Sequence, residues 1–140
     1  MLGPIEVWDG ARCLNIGPRM PKAVLAVLLL EPGRPVSLDR LIDLLWGDEP
    51  PATATGALQV YVSGLRRVLE PNRPSRTPPA VLVTQPPGYA LRVDPETVDA
   101  VRFEAAITTG RSRLADGDPA GARAALQQAL ALWRGSPYAE

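Results

Sequence analysis

A chain of 140 residues with zero net charge, 46% hydrophobic and 21% charged, has room for one ordinary domain, or one plus a fragment of another. Its longest apolar run, Ala23 to Leu30, falls far short of a membrane span, and no signal-peptide pattern follows Met1, so no membrane partner is expected. There is no histidine and only one cysteine, Cys13, which removes the commonest general base and metal ligand, any intramolecular disulfide and any cysteine-rich metal site.

Taken in chain order, Leu2 to Val7 and Leu14 to Ile16 are short β-like runs around the turn signal Asp9-Gly10. Cys13, beside them, reads as a small buried hydrophobe. Pro21 fits the first turn of a helix running to about Glu31, where Pro32-Gly33 stops it. Ser37 is the predicted N-cap of a second helix, with Asp39 near its positive end. Leu38, Leu41, Ile42 and Leu45 follow the i, i+3, i+4, i+7 pattern of a buried stripe. Gly47 is placed to end this helix, and Pro50-Pro51 makes a rigid corner.

A third helix is predicted from about Thr53 to Leu69, with Leu58, Val62, Leu65 and Leu69 facing inward. Its opposite side carries Thr55, Gly56, Gln59, Val60, Ser63 and Arg67, flanked by Gly64 and Arg66. Pro71 stops it, and Asn72 to Pro79 is a polar, proline-rich loop. Val81 to Thr84 and Tyr89 to Val93 are hairpin strands joined at Pro86-Pro87-Gly88. After Asp94-Pro95 the pattern becomes helical again. Phe103, Ile107, Gly110 and Leu114 form one stripe, Gly117-Asp118-Pro119 breaks and caps, and Ala122, Leu126, Ala129 and Trp133 form a second. This is an αα-hairpin of the tetratricopeptide sort, and one such repeat cannot bury both apolar faces alone. It must pack on the first domain, pair with another copy, or belong to a longer protein.

Helix, corner, helix, basic loop and hairpin is the order of a winged helix-turn-helix, so the fold class is mainly α with small β-sheets, followed by a tetratricopeptide-like hairpin. Residues 1–94 form the predicted winged-helix DNA-binding domain and 95–140 a separate helical segment. The charge distribution agrees with that division. From Pro50 to Val93 five arginines face one acid, Glu70, a net charge of +4, whereas Pro95 to Glu140 carries a net charge of −1. Fourteen of the fifteen basic residues are arginine, which with abundant Ala and Pro suggests a GC-rich genome and lowers the functional weight of that enrichment.

A helix in the major groove needs an apolar anchoring face and an opposite face of amide, hydroxyl and guanidinium groups. Gln59 can reach adenine, Ser63 can meet several bases, and Arg67 can read guanine or grip phosphate. The competing reading is a solvated amphipathic helix of an all-α core, which the following hairpin disfavours. Trp46 is open between a core role and an indole N–H donor to phosphate. Thr84 and Gln85 beside Pro86-Pro87-Gly88 read as a wing tip or as a plain tight hairpin. The carboxylates do not gather: Asp39 and Asp43 lie at helical spacing on a solvated face, and Asp48-Glu49 lie in a turn. No enzyme, cofactor or metal site is expected. The expected compartment is cytoplasmic, at the nucleoid.

Several stretches together resemble one family. They are Leu2-Gly3-Pro4-Ile5-Glu6-Val7, Val36-Ser37-Leu38-Asp39-Arg40-Leu41-Ile42 and Leu45-Trp46-Gly47-Asp48, then Ala57-Leu58-Gln59-Val60-Tyr61-Val62-Ser63, Leu65-Arg66-Arg67 and Pro86-Pro87-Gly88-Tyr89. Over essentially the whole chain these blocks are similar to the Streptomyces antibiotic regulatory protein family. The resemblance implies an OmpR-like winged helix followed by the start of a bacterial transcriptional activation domain. It implies activation of secondary-metabolite gene clusters, binding to direct repeats in double-stranded DNA as tandem protomers, a dimer on DNA, and engagement of RNA polymerase. Carried over by position, it places Gln59, Val60, Ser63 and Gly64 at base edges. It places Trp46, Thr55, Tyr61, Arg66 and Thr84 near phosphate, and Gln85 at the wing. The chain departs from the family's usual pattern at Gly64 (commonly Arg or Lys), Gln85 (often Arg) and Gly56 (often Asn). These departures imply a weaker grip than in a typical relative. The alternative is a protein-interaction module, in which the helical hairpin is the working surface and DNA binding is weak or lost.

Overall fold

The turn signal Asp9-Gly10 folds into a hairpin, with β1 (Val7–Asp9) pairing antiparallel with β2 (Arg12–Leu14), in the computed structural model, which describes residues 1–138. The register, Val7 opposite Leu14 and Asp9 opposite Arg12, leaves Gly10-Ala11 as a two-residue turn, with Gly10 at φ +58°. β1 is shorter than its expected run and β2 is shifted towards the turn: Leu2 to Glu6, Asn15 and Ile16 lie outside the strands. Cys13 is exposed, contrary to expectation, as is Trp8 across from it. A lone two-stranded ribbon has too few neighbours to cover its side chains.

Contacts divide the chain into two units, Glu6–Val93 and a second made of Met1–Ile5 with the chain from Asp94 onward. In the first, α1 (Arg19–Leu30) packs on α2 (Leu38–Trp46) and α3 (Ala54–Leu69). Val24, Leu25 and Leu28 of α1, Leu41 of α2, and Leu58, Val62 and Leu65 of α3 are almost fully buried. Each such side chain contributes roughly 1.5–3 kcal/mol. α2 starts where Ser37 Oγ accepts from the Arg40 N–H at 3.1 Å, and it ends at Gly47, whose φ of +65° suits glycine.

The wing is part of a three-stranded antiparallel sheet. β3 (Val36–Ser37), β4 (Leu82–Gln85) and β5 (Gly88–Leu91) are ordered β3-β5-β4, so β5 is central. The strand Val36–Ser37 is absent from the sequence reading, since two residues carry no periodicity. Ser37 is therefore both the last residue of a strand and the cap of a helix. Its partner is Gly88, where a Cβ would run into the Val36 carbonyl oxygen.

The second unit begins with a short 3-10 turn, Pro95–Thr97, held by the Asp94 carboxylate accepting from the Glu96 N–H at 3.0 Å. α4 (Asp99–Ala115) and α5 (Pro119–Ala131) then form an antiparallel hairpin. Gly117, at φ +78°, makes the bend, Pro119 sits at the start of α5, and Asp118 caps it by accepting from the Gly121 N–H at 2.8 Å. Gly110 lets the helices approach closely: an added Cβ would meet Leu126 Cγ and Cδ2 at 2.8 Å. Ala122 and Ala129 are buried as expected, but Leu114 is 61% and Trp133 41% exposed. Trp133 lies beyond the end of α5 and stands edge-on to Phe103 at 5.8 Å. Leu114 belongs to the side that a single helical pair leaves uncovered. Asp99 accepts from the Met1 α-amino group at 2.7 and 2.9 Å and from the Leu2 N–H at 2.9 Å, tying Met1–Ile5 to α4. Among the described residues no helix is long and apolar enough to cross a membrane.

Gly88→Ala is expected to shift the denaturant midpoint downward by the equivalent of about 1–3 kcal/mol, because backbone and not a flexible side chain blocks the added methyl. Ser37→Ala, which removes one capping bond, should cost only about 1 kcal/mol. Equilibrium unfolding of the two variants checks the order.

Candidate nucleic-acid interface

The buried stripe of α3 fixes what the rest of that helix does. With Leu58, Val62 and Leu65 inside, two rows at i+4 spacing are turned to solvent: Thr55, Gln59, Ser63 and Arg67, and beside them Gly56, Val60 and Gly64. All seven are exposed, Val60 to 67% despite its apolar side chain. Among the described residues, no hydrogen bond or ion pair holds the Arg67 side chain. The five residues expected at base edges, Gln59, Val60, Ser63, Gly64 and Arg67, thus share one solvent-facing surface. Trp46, at the last position of α2, and Tyr61 are half-buried, and Thr55 lies in the first turn of α3.

Gly56 and Gly64 have helical backbone, and a Cβ at either would meet nothing within 4 Å. No packing in this chain therefore asks for glycine there. Their presence lowers the outward face on both sides of Val60 and weakens the helix by about 1 kcal/mol each.

The wing stands beside α3 through two side chains one helical turn apart. Arg66 Nε donates to the Leu82 carbonyl at 2.8 Å, and its Nη2 donates to Thr84 Oγ1 at 2.8 Å. The guanidinium carbon lies 5.6 Å from the centre of the Tyr89 ring, within cation–π range. Partial burial pulls the Arg66 guanidinium below its ordinary pKa, with Tyr89 opposing. Glu70 accepts from the Ala80 N–H at 3.0 and 3.1 Å and from the Val81 N–H at 3.2 Å. The Ala80 bond first, against some burial and with help from Val81, Arg73 and Arg66, holds this carboxyl below the usual glutamate range. Thr84 and Gln85 end β4, Thr84 exposed and Gln85 half-buried, and Gln85 pairs with Gly88 across Pro86-Pro87.

Sequence reasoning placed Arg66 and Thr84 separately, and the structure bonds them to each other. It missed Glu70 and Tyr89. The only signal for Glu70 is its i,i+4 spacing from Arg66, which also reads as an ordinary surface ion pair. In the loop after α3, Arg73 donates to the Thr77 carbonyl at 2.7 Å. Among the described residues no group of three or more His, Cys, Asp or Glu stands close enough to hold a metal.

A three-helix unit with a polar outward third helix and a β-ribbon held against it defines a winged-helix regulator of the OmpR-like class. Residues 19–91 match the family described as transcriptional regulatory protein, C terminal, and residues 98–140 match the bacterial transcriptional activator domain. Regulatory protein AfsR of Streptomyces coelicolor is 37% identical over 148 residues, covering 100% of this chain and 14% of that protein. Regulatory protein DnrI of Streptomyces peucetius is 37% identical over 141 residues, covering 96% of this chain and 51% of that one. Among solved structures, Mycobacterium tuberculosis EmbR in complex with a low-affinity phosphopeptide superposes with a TM-score of 0.88 at 37% identity, over 96% of this chain and 35% of that chain. The chain belongs to the Streptomyces antibiotic regulatory protein family, and the relatives it matches are named as regulatory proteins. It spans 14% of the AfsR length and about half of the DnrI length.

Gly56→Ala and Gly64→Ala should each raise stability by about 1 kcal/mol, since each fills open space on a helix. Thermal melts that fall instead would mean the glycines are needed within the fold. The stability that ionised Glu70 provides is fully present above the ordinary glutamate pKa of about 4.3 and is lost as pH falls through its lowered folded value. Glu70→Gln should therefore flatten the acid limb of the stability–pH curve and leave the neutral-to-basic limb unchanged in shape.

Proposed function

We propose that this chain is the DNA-binding part, with the start of the activation part, of a cytoplasmic, nucleoid-associated transcriptional activator of a secondary-metabolite gene cluster. The segment up to Asp94 reads direct repeats in double-stranded DNA, with protomers side by side on the repeats. The tetratricopeptide-like segment from Pro95 begins the surface that engages RNA polymerase. One observation carries the reading: the outward face of α3 is wholly exposed while its apolar stripe is buried, and a β-ribbon is fixed beside it.

In this reading α3 lies in the major groove. Gln59 reads adenine, Ser63 and Arg67 meet neighbouring base edges, and Val60, raised between Gly56 and Gly64, makes the apolar contact that suits a thymine methyl. Trp46, Thr55 and Tyr61 grip flanking phosphates, and Thr84 and Gln85 bring the wing to the backbone or minor groove. A protein-interaction module is the second reading, favoured by the exposed Leu114 and Leu130 of the helical hairpin. Selection of bound sequences from a random duplex pool separates the two, because the module enriches none.

With the selected duplex, affinity should fall steeply between about 50 and about 200 mM salt, by about 0.9 in log slope per phosphate neutralised. Gln59→Ala should relax preference at one base with the salt slope unchanged, whereas Arg67→Ala should relax preference at a different base and, because it removes a cation, also lower affinity and salt slope. A flat salt response, or equal effects of the two variants on sequence preference, overturns this division of roles.

A further inference from the structure

Arg66 stands on the functional helix, and the resemblance places it near phosphate. Its bonds lead elsewhere. β4 is an edge strand in the order β3-β5-β4, so alternate backbone groups point away from the sheet. Arg66 Nε takes the Leu82 carbonyl, Nη2 takes the Thr84 hydroxyl, and the guanidinium lies over Tyr89 of the central strand. One turn along α3, Glu70 takes the Ala80 and Val81 N–H groups that lead into the same strand. Ala80 and Val81, leading into β4, and Leu82 and Thr84, within it, are thus held by two side chains at i,i+4 spacing. One accepts from N–H groups and the other donates to oxygens, so the strand is fixed both along and across its length.

We propose that Arg66 and Glu70 are positioning residues that brace the wing against α3, and that Arg66 sets where the wing meets DNA without itself gripping phosphate. The proposal rests on the DNA-binding reading for its consequence, and its geometry stands apart from it. The wing strands and their turn, Leu82 to Leu91, contain no charged residue. Any contact that they make with DNA is therefore uncharged, and misplacing them lowers affinity without changing the number of cations that neutralise phosphates.

The test uses the whole chain and a duplex that it selects from a random pool. If the brace is right, Arg66→Met and Arg66→Lys both lose affinity on the order of tenfold, with the salt slope unchanged, because a lysine ammonium keeps the charge but cannot form the two-point fork. Glu70→Ala weakens binding too, although it removes a negative charge beside the DNA. If Arg66 grips phosphate, the slope for Arg66→Met drops by about 0.9, lysine restores most of the affinity, and Glu70→Ala tightens binding. That result overturns the proposal. Should Arg66→Met not fold, the sign of the Glu70→Ala effect decides by itself. A wild-type chain that selects no duplex defeats the DNA-binding reading and leaves the brace to amide hydrogen exchange. Faster exchange at Ala80 and Val81 in Glu70→Ala supports the brace, and unchanged exchange overturns it.

Discussion

Leu58, Val62 and Leu65 govern the first unit of this protein. Their burial against α1 and α2 leaves α3 no rotational freedom, since turning the helix by one residue's 100° would drive Gln59 or Ser63 into the core. The polar face points to solvent because the apolar face has no alternative. The exposed polar face of α3 follows from that exclusion, and the same helix then holds the β-ribbon through Arg66 and Glu70. Apolar anchor, exposed polar face and ribbon support are three sides of one sixteen-residue element.

The second unit uses smaller side chains for a similar end. Gly110, Ala122 and Ala129 line the approach of α4 and α5, so the two helices come close with little apolar volume between them. Leu114 and Leu130 remain outside. Such a pair buries little apolar volume and leaves part of its apolar surface uncovered.

Much of this was legible in the residues. Ser37, Gly47, Asp118 and Pro119 mark helix ends by local chemistry alone, and each stands where that chemistry predicts. The outward face of α3 was legible because a sixteen-residue amphipathic helix repeats its pattern several times over. What escaped depends on distant neighbours. Val36–Ser37 is too short to carry a period and becomes a strand only because β5 passes beside it. Cys13 was expected inside on residue type, but a two-stranded ribbon has nothing to bury it in. Leu114 keeps the helical spacing and is still exposed, while Trp133, past the end of α5, is covered only in part, by Phe103. Arg66 was legible as a cation on the right helix, whereas its partners lie sixteen and eighteen residues away, across a proline-rich loop that no local rule can trace.

Ser37 closes the strand β3 and opens the helix α2 with no residue between. A joint without slack transmits displacement. β5 pairs with β3, and β3 runs directly into the entry of the second helix. Ribbon and second helix therefore take up their positions together, since neither can shift at Ser37 without the other.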